Sequence, residues 1–465
     1  MSKIEVNTIE PQCGTTLTLG ASGDTVTLAS GASQSGFGRT GTVDWQTTPK
    51  TATFTAANGE GYFINSGSSI TANLPAGSAG AIVAFSDYAR NFATYNLTIS
   101  PNGSEKIGGV ADDATLNIDG QAATFVYVDT TKGWVNVQNA EDTETGVTPA
   151  FIAASGGNSI ATVGDFKIHT FTGPGTFTVS CAGNAKGSNT VSYLVVAGGG
   201  GTGCGGCGSK GGGGGGGFRE GLGLNDSYTG SPLRAPTGVP VSVQAYSIAV
   251  GAGGAAGNPT PNTTPGVASS FSTITSAGGG SSGNPSAPQG GSGAPGGSGG
   301  GGSSAAGSPG PANNGGTGNT PPVSPPQGNN GGTGFSSPGA GGSSATYRAG
   351  GGGGAGAVGG NAPPTLPQPA GVGGAGATTS INNSSTTYAG GGGGGGGYEP
   401  GGVNPGDAGG PGGAGGGGKG SNAGAGAVAG TANTGGGAGG GSYPSNPNTG
   451  NSGGSGIVII RYKFQ

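Results

Sequence analysis

Apolar and polar positions alternate at period two along the first third of the chain, in short runs. Thr16-Leu17-Thr18-Leu19 is followed, after glycine, by Asp24-Thr25-Val26-Thr27-Leu28. Alternation of this kind predicts half-buried strands. Runs this short gain a core only against copies of themselves. Residues 1–38 are therefore expected to form a β-repeat segment that attaches and trimerises the chain. Residues 39–140 carry strand candidates at 51–55, 61–64, 70–74, 82–87, 96–99, 115–118, 123–128 and 133–137. Turn signals such as Asn58-Gly59, Pro101-Asn102-Gly103 and Asp119-Gly120 separate them. That spacing predicts a small β-sandwich or barrel, with Trp45 and Trp134 in its core or at a subunit contact.

The stretch 141–164, with Glu141, Asp142 and Glu144, reads as an acidic linker. Strand patterning returns at 166–171, 176–179, 191–197, 241–250 and 271–275. It appears once more at the end, as the strongly apolar run 457–464. A strand that apolar must pair with something. Residues 165–465 are thus expected to be a β-sandwich base with a large glycine-rich insertion, closed by strand 457–464.

Composition decides what that insertion can be. The chain holds 119 glycines in 465 residues, 91 of them after residue 200, and only 7% charged residues. An ordinary enzyme is improbable on this composition, and collagen is excluded because the glycines come in runs without a Gly-X-Y period. Side-chain burial cannot order such a segment. One arrangement can: parallel rods in the left-handed extended helix with three residues per turn, whose N–H and C=O groups point outward and bond to neighbouring rods. Any Cβ at the contact would hold the rods apart. Runs 351–360, 371–376, 390–397 and 409–418 are the expected rods. Ala362-Pro363-Pro364, Ile381-Asn382-Asn383 and Tyr398-Glu399-Pro400 are the expected interruptions. The fold class is accordingly all-β with polyglycine-II-like rods and negligible α-helix.

Little catalytic chemistry is legible. Net charge is −4 with no basic stripe, so nucleic acid has no electrostatic footprint. No apolar run reaches the ~18 residues of a membrane span, and the start lacks a signal-peptide core, which predicts cytosolic synthesis. His169 is the only histidine, so neither a Ser-His-Asp triad nor a His-rich metal site can be assembled. Cys204-Gly205-Gly206-Cys207 has no second pair to complete four zinc ligands and reads as a loop with free or paired thiols. Gly296-Gly297-Ser298-Gly299-Gly300 lacks the strand–turn–helix context of a nucleophile elbow. Asp112-Asp113 reads as a solvated turn. No catalytic residue, metal or cofactor is predicted. The residues that stand out are Phe218, Arg219, Tyr347, Arg348, Tyr388, Tyr398 and Tyr443, aromatic and basic groups embedded in glycine. Tyr and Arg are favoured at recognition hot spots. The competing role is to cap rods or contact neighbouring subunits.

Segments 172–179, 193–201 and 454–462 resemble the glycine-rich domain at the C-terminus of many tailed-phage virion proteins, especially those of marine phages. Segments 96–99, 102–104, 125–129 and 132–134 resemble marine-phage tail-fibre sequence. The resemblance implies a virion appendage: an elongated, intertwined homotrimeric tail fibre or adhesin that binds a bacterial glycan or outer-membrane protein. Its N-terminus would contact other tail or baseplate proteins. A decoration fibre without a receptor is the alternative, and a polysaccharide-degrading fibre a more distant one.

Overall fold

The structure, a computed structural model, describes residues 43–138, 149–203, 208–257, 263–283, 291–304, 310–311, 313–337, 346–365, 368–398, 408–422, 426–442 and 450–465. The N-terminal repeat segment, Cys204, Cys207, Tyr443 and the acidic cluster at Glu141–Glu144 lie outside these residues. Every regular element described is a strand, and no helix occurs among them. The chain divides into two units, residues 1–148 and 149–465.

The first unit contains β1 (Asp44–Lys50), β2 (Phe54–Thr55), β3 (Glu60–Ile64), β4 (Ile70–Asn73), β5 (Ile82–Asp87), β6 (Leu97–Ser100), β7 (Ala114–Leu116), β8 (Ala122–Asp129) and β9 (Gly133–Asn136). They form two sheets, ordered β1-β3-β5-β8-β9 and β2-β4-β6-β7. No barrel closes. The first six strands alternate between the sheets, and β1-β3-β5 and β2-β4-β6 are parallel. Parallel neighbours need a crossover connection. Here the crossover is the intervening strand in the opposite sheet, so the chain winds like a short solenoid before β7, β8 and β9 close it antiparallel. Period-two alternation delivers Val83, Phe85, Ala123 and Phe125 from one sheet, and Ala72, Leu97, Ile99 and Leu116 from the other, into one core. Trp134 is buried there, its Nε1 donating to Glu105 Oε2 at 3.2 Å. Trp45 is not: it is 38% exposed on the outer face.

The second unit begins with β10 (Ile152–Ser155), β11 (Ser159–Val163), β12 (Phe166–Phe171), β13 (Gly175–Ala182), β14 (Thr190–Val196), β15 (Phe218–Gly221), β16 (Arg234–Ala235), β17 (Val239–Pro240), β18 (Ala245–Ala249), β19 (Ser269–Phe271) and β20 (Ile274–Ser276). Then follow β21 (Gly310–Pro311), β22 (Phe335–Ser337), β23 (Thr346–Arg348), β24 (Ala377–Thr379), β25 (Thr386–Tyr388), β26 (Gly396–Tyr398) and β27 (Ile457–Lys463). Residues 152–163, expected as linker, instead form two strands. Small residues and the Gly156-Gly157 turn obscure the strand pattern, but β10 pairs with β13 and β11 with β12. The base is two sheets, β10-β13-β18-β19-β20 and β11-β12-β27-β14-β15-β16. β27 lies between β12 and β14, antiparallel to both. Its first four residues, Ile457 to Ile460, are buried on both faces, which is why they form an apolar run. Val458, Ile460 and Tyr462 face a core with Phe177, Val179, Tyr193 and Phe271. Ile457 and Ile459 face a second core with Leu194, Val196 and Phe218, completed by Ala355, Ala377, Ile381, Tyr388 and Ala389 from the glycine-rich region.

That region is a bundle of extended rods with a three-residue bonding period. In rod 210–217, Gly212 and Gly215 donate to Gly350 and Gly353. Gly213 and Gly216 donate to Ala438 and Gly435, and Gly214 and Gly217 to Gly280 and Ala277, all within 2.8–3.1 Å. The carbonyls of Lys210 and Gly213 accept from Gly395 and Gly392, those of Gly212 and Gly215 from Gly301 and Ser298, and those of Gly214 and Gly217 from Gly200 and Ala197. One rod thus bonds six others. Added Cβ atoms at Gly212, Gly213 and Gly214 would overlap the backbone of Gly392, Gly200 and Ser298. Two turns fall inside runs expected as single rods, each at an alanine. Run 351–360 is two rods that reverse at 355–357, where Gly354 donates to Ala357 O at 2.9 Å. Run 409–418 reverses at 414–416, with φ of +96° at Gly415 and +93° at Gly416. Ala362-Pro363-Pro364 does not interrupt a rod but extends one, with Ala362 bonded to Thr333 O at 2.8 Å. Proline's fixed φ suits that extended helix.

Candidate functional site on the outer rods

Three residues per turn leave one residue in three of a peripheral rod facing outward, and the sequence supplies side chains there. Val358, Asn361 and Pro364 are exposed on one rod, Val372, Ala375 and Thr378 on the next, and Ala408, Pro411 and Ala414 on a third. These rods are neighbours: Gly360 donates to Val372 O, and Ala370, Gly373 and Gly376 donate to Ala408, Pro411 and Ala414 O. On the other side of Asn361, rods 313–318 and 328–334 present Asn314, Thr317 and Asn330. The bundle therefore offers an aliphatic face and an amide–hydroxyl face on a backbone lattice. Among the described residues from 250 to 456 only Arg348 and Lys419 carry charge, and of these only Lys419 is exposed.

Those of the aromatic and basic residues singled out in the sequence whose side chains are described do not converge on one site. Phe218 is 1% exposed in the second core, and Tyr388 is buried with it, its hydroxyl accepting from Asn382 Nδ2 at 3.3 Å. Tyr347 and Arg348 are buried in β23, and Arg348 Nη1 donates to Pro363 O (2.7 Å) and Thr365 O (2.9 Å). These four fasten rods to each other and to the base. Arg219 is half-buried, and Tyr398 closes β26 beside Thr346.

Two buried polar groups escaped sequence reasoning because their members are far apart in the chain. Arg461 Nε lies 2.9 Å from Asp226 Oδ1, with both side chains almost fully buried, and its guanidinium sits 4.3 Å over the Phe166 ring. Ser192 donates to Asp226 Oδ2 at 2.6 Å. Glu220, also buried, accepts from Ser231 N–H (2.8 Å) and Thr379 Oγ1–H (2.5 Å). Burial first, then the carboxylates of Glu220 and Asp226, pushes the Tyr228 phenol up. All four carboxylate oxygens are bonded, an arrangement that holds structure. Among the described residues no three His, Cys, Asp or Glu side chains gather as a metal would require.

His169 is fully buried. Its Nδ1 is 2.7 Å from Gly156 O and so carries the proton, and Nε2 accepts from Tyr462 O–H at 3.1 Å. Burial, with Lys167 nearby, lowers its pKa below 6.5 despite the opposing Gly156 bond. A lowered folded-state pKa contributes stability above the unfolded value, lost as pH falls through the folded one. The second unit is expected to lose stability between pH 8 and pH 5, and His169→Gln to remove that part of the slope. Denaturation midpoints across this range, wild type against variant, check it. Parallel profiles would refute the assignment.

Residues 170–463, well over half of the chain, match the family described as the glycine-rich domain, and the chain belongs to that family. No curated protein matches it. No helix among the described residues is long and apolar enough to cross a membrane.

Proposed function

We propose that the chain is an attachment protein of a tailed-phage virion, a homotrimeric tail fibre or adhesin whose glycine-rich domain meets the bacterial surface. The observation that carries this reading is the outer-rod geometry. A lattice held together by backbone bonds leaves every third peripheral residue free to vary without touching the core, which suits a surface that must match a receptor. We read the rods as a polyglycine-II lattice. In this proposal residues 1–38 join the chain to tail or baseplate proteins, and the receptor is a surface glycan or outer-membrane protein. The resemblance of segments 172–179, 193–201 and 454–462 to phage glycine-rich domains supports the same setting. Deleting residues 165–465 from the virion-borne protein is expected to lower adsorption to host cells by about a hundredfold, the lower range of what multivalent tips add. Unchanged adsorption sinks the proposal. It would favour a decoration fibre, a reading to which the burial of Phe218, Tyr347, Arg348 and Tyr388 already lends weight.

A further inference from the structure

The first unit carries an aromatic strip that its core does not use. Trp45 on β1 and Phe63 on β3 stack with ring centroids 4.9 Å apart at 29°, and Tyr88, just past β5, meets Phe63 edge-on at 6.3 Å. All three point away from the core, since Tyr62, Ile64 and Phe85 occupy the inward positions beside them. Gly61 is what lets the indole lie down: a Cβ there would come within 2.8 Å of the Trp45 ring. Trp45 is 38% exposed and Tyr88 60%. On the same face Ser86 neighbours Phe63 and Ala84 neighbours Gly61; Thr124 follows Ala84 on β8, and Ile82 leads to Val126 and Val135 on β8 and β9.

We propose that this strip binds an uncharged saccharide. The Trp45 indole lies over Gly61 and stacks on Phe63, and Tyr88 stands at 70° to Phe63 as a wall beside them, so the strip offers a π face and a ring edge to the C–H face of a pyranose, with the Ser86 and Tyr88 hydroxyls at its margin. The rings' exposed part amounts to on the order of 300 Å². That is well short of the ~800 Å² per partner that a stable protein interface buries, and close to the footprint of a short oligosaccharide. No charge sits in the strip, so an anionic glycan gains nothing there. The inference does not depend on how the glycine-rich domain functions.

The chain has two tryptophans, and Trp134 is fully buried, so exposed-indole signals report Trp45. The full chain is screened on an array of defined neutral oligosaccharides, and hits are titrated by acrylamide quenching of tryptophan emission. At least one glycan is expected to protect Trp45 saturably, and Tyr88→Ala to weaken that binding at least tenfold while the emission of Trp134 stays unchanged. Tyr88 is exposed enough that its loss leaves the fold intact. Binding to no neutral glycan overturns the proposal. So does equal binding by the Tyr88→Ala variant, or protection of Trp45 that rises with protein concentration without sugar, which would mark a contact between copies.

Discussion

Gly213→Ala is expected to destabilise the second unit by about 3 kcal/mol or more, whereas Gly426→Ala changes it by less than about 0.5 kcal/mol. Each variant adds one methyl. At Gly213 that methyl would overlap the carbonyl of Gly200 and crowd the Ala438 amide at 2.9 Å. Neither neighbour is a side chain that can turn away. Relief requires moving a rod that is itself bonded on several sides: Gly213 donates to Ala438 and accepts from Gly392, and Gly200 donates to Gly214. Overpacking costs about 1–3 kcal/mol, and each backbone bond left unmade adds about 1–3. At Gly426 nothing lies within 4 Å of an added Cβ and φ is not left-handed. Replacing glycine there restricts the unfolded chain and costs the folded one nothing. Calorimetric unfolding of the two variants decides. Equal effects would mean that the bundle is loosely packed and that its glycines serve composition more than contact. Alanine as such is not forbidden, since Ala438 is buried in a rod. What matters is which way the Cβ points.

That dependence marks where the sequence stopped being informative. Strands of the first unit were legible nearly to the residue: 82–87 was expected and Ile82–Asp87 found, 123–128 expected and Ala122–Asp129 found. Period-two alternation names the buried face of a strand but not its partner, so the parallel winding of β1 to β6 was not visible. β1 itself, Asp-Trp-Gln-Thr-Thr-Pro-Lys, lacks alternation because its outward tryptophan lies over a glycine of the next strand. In the rods the legible signal is the interruption at every third position, such as Val372, Ala375 and Thr378. The turns at 355–357 and 414–416 also fall on alanines, which nothing in the sequence distinguishes from the alanines of a straight rod. The aromatic strip was missed for a different reason. Phe63 and Tyr88 are single outward aromatics, which read as ordinary surface, and Trp45, expected in the core or at a subunit contact, lies on the outer face. The parallel register alone brings them together.

Removing the charge of Asp226 is expected to cost the second unit about 3–5 kcal/mol, since it strands a buried cation. Asp226→Asn keeps the shape, so the loss reports charge and not volume. Arg461 would keep its place over Phe166 with no counter-ion, and Ser192 would lose its acceptor carboxylate. Arg461→Met should be costly for the mirror reason, leaving Asp226 buried and unpaired. Joining the two as Asp226→Leu with Arg461→Met should restore much of the loss, because apolar replacement of a whole buried pair is often neutral. For a unit of this size about 3–5 kcal/mol corresponds to a fall of about 10 °C in Tm. The consequence reaches past the pair. Arg461 belongs to β27, whose Ile457 and Ile459 pack against Ala355, Ala377 and Tyr388 of the rod region, so slackening that strand loosens the floor on which the bundle stands. Both tryptophans lie in the first unit. Tryptophan emission should therefore keep its transition in Asp226→Asn while the far-ultraviolet transition of the second unit moves down. A shift under about 1 kcal/mol would show that water reaches the pair, since exposed ion pairs contribute no more than that.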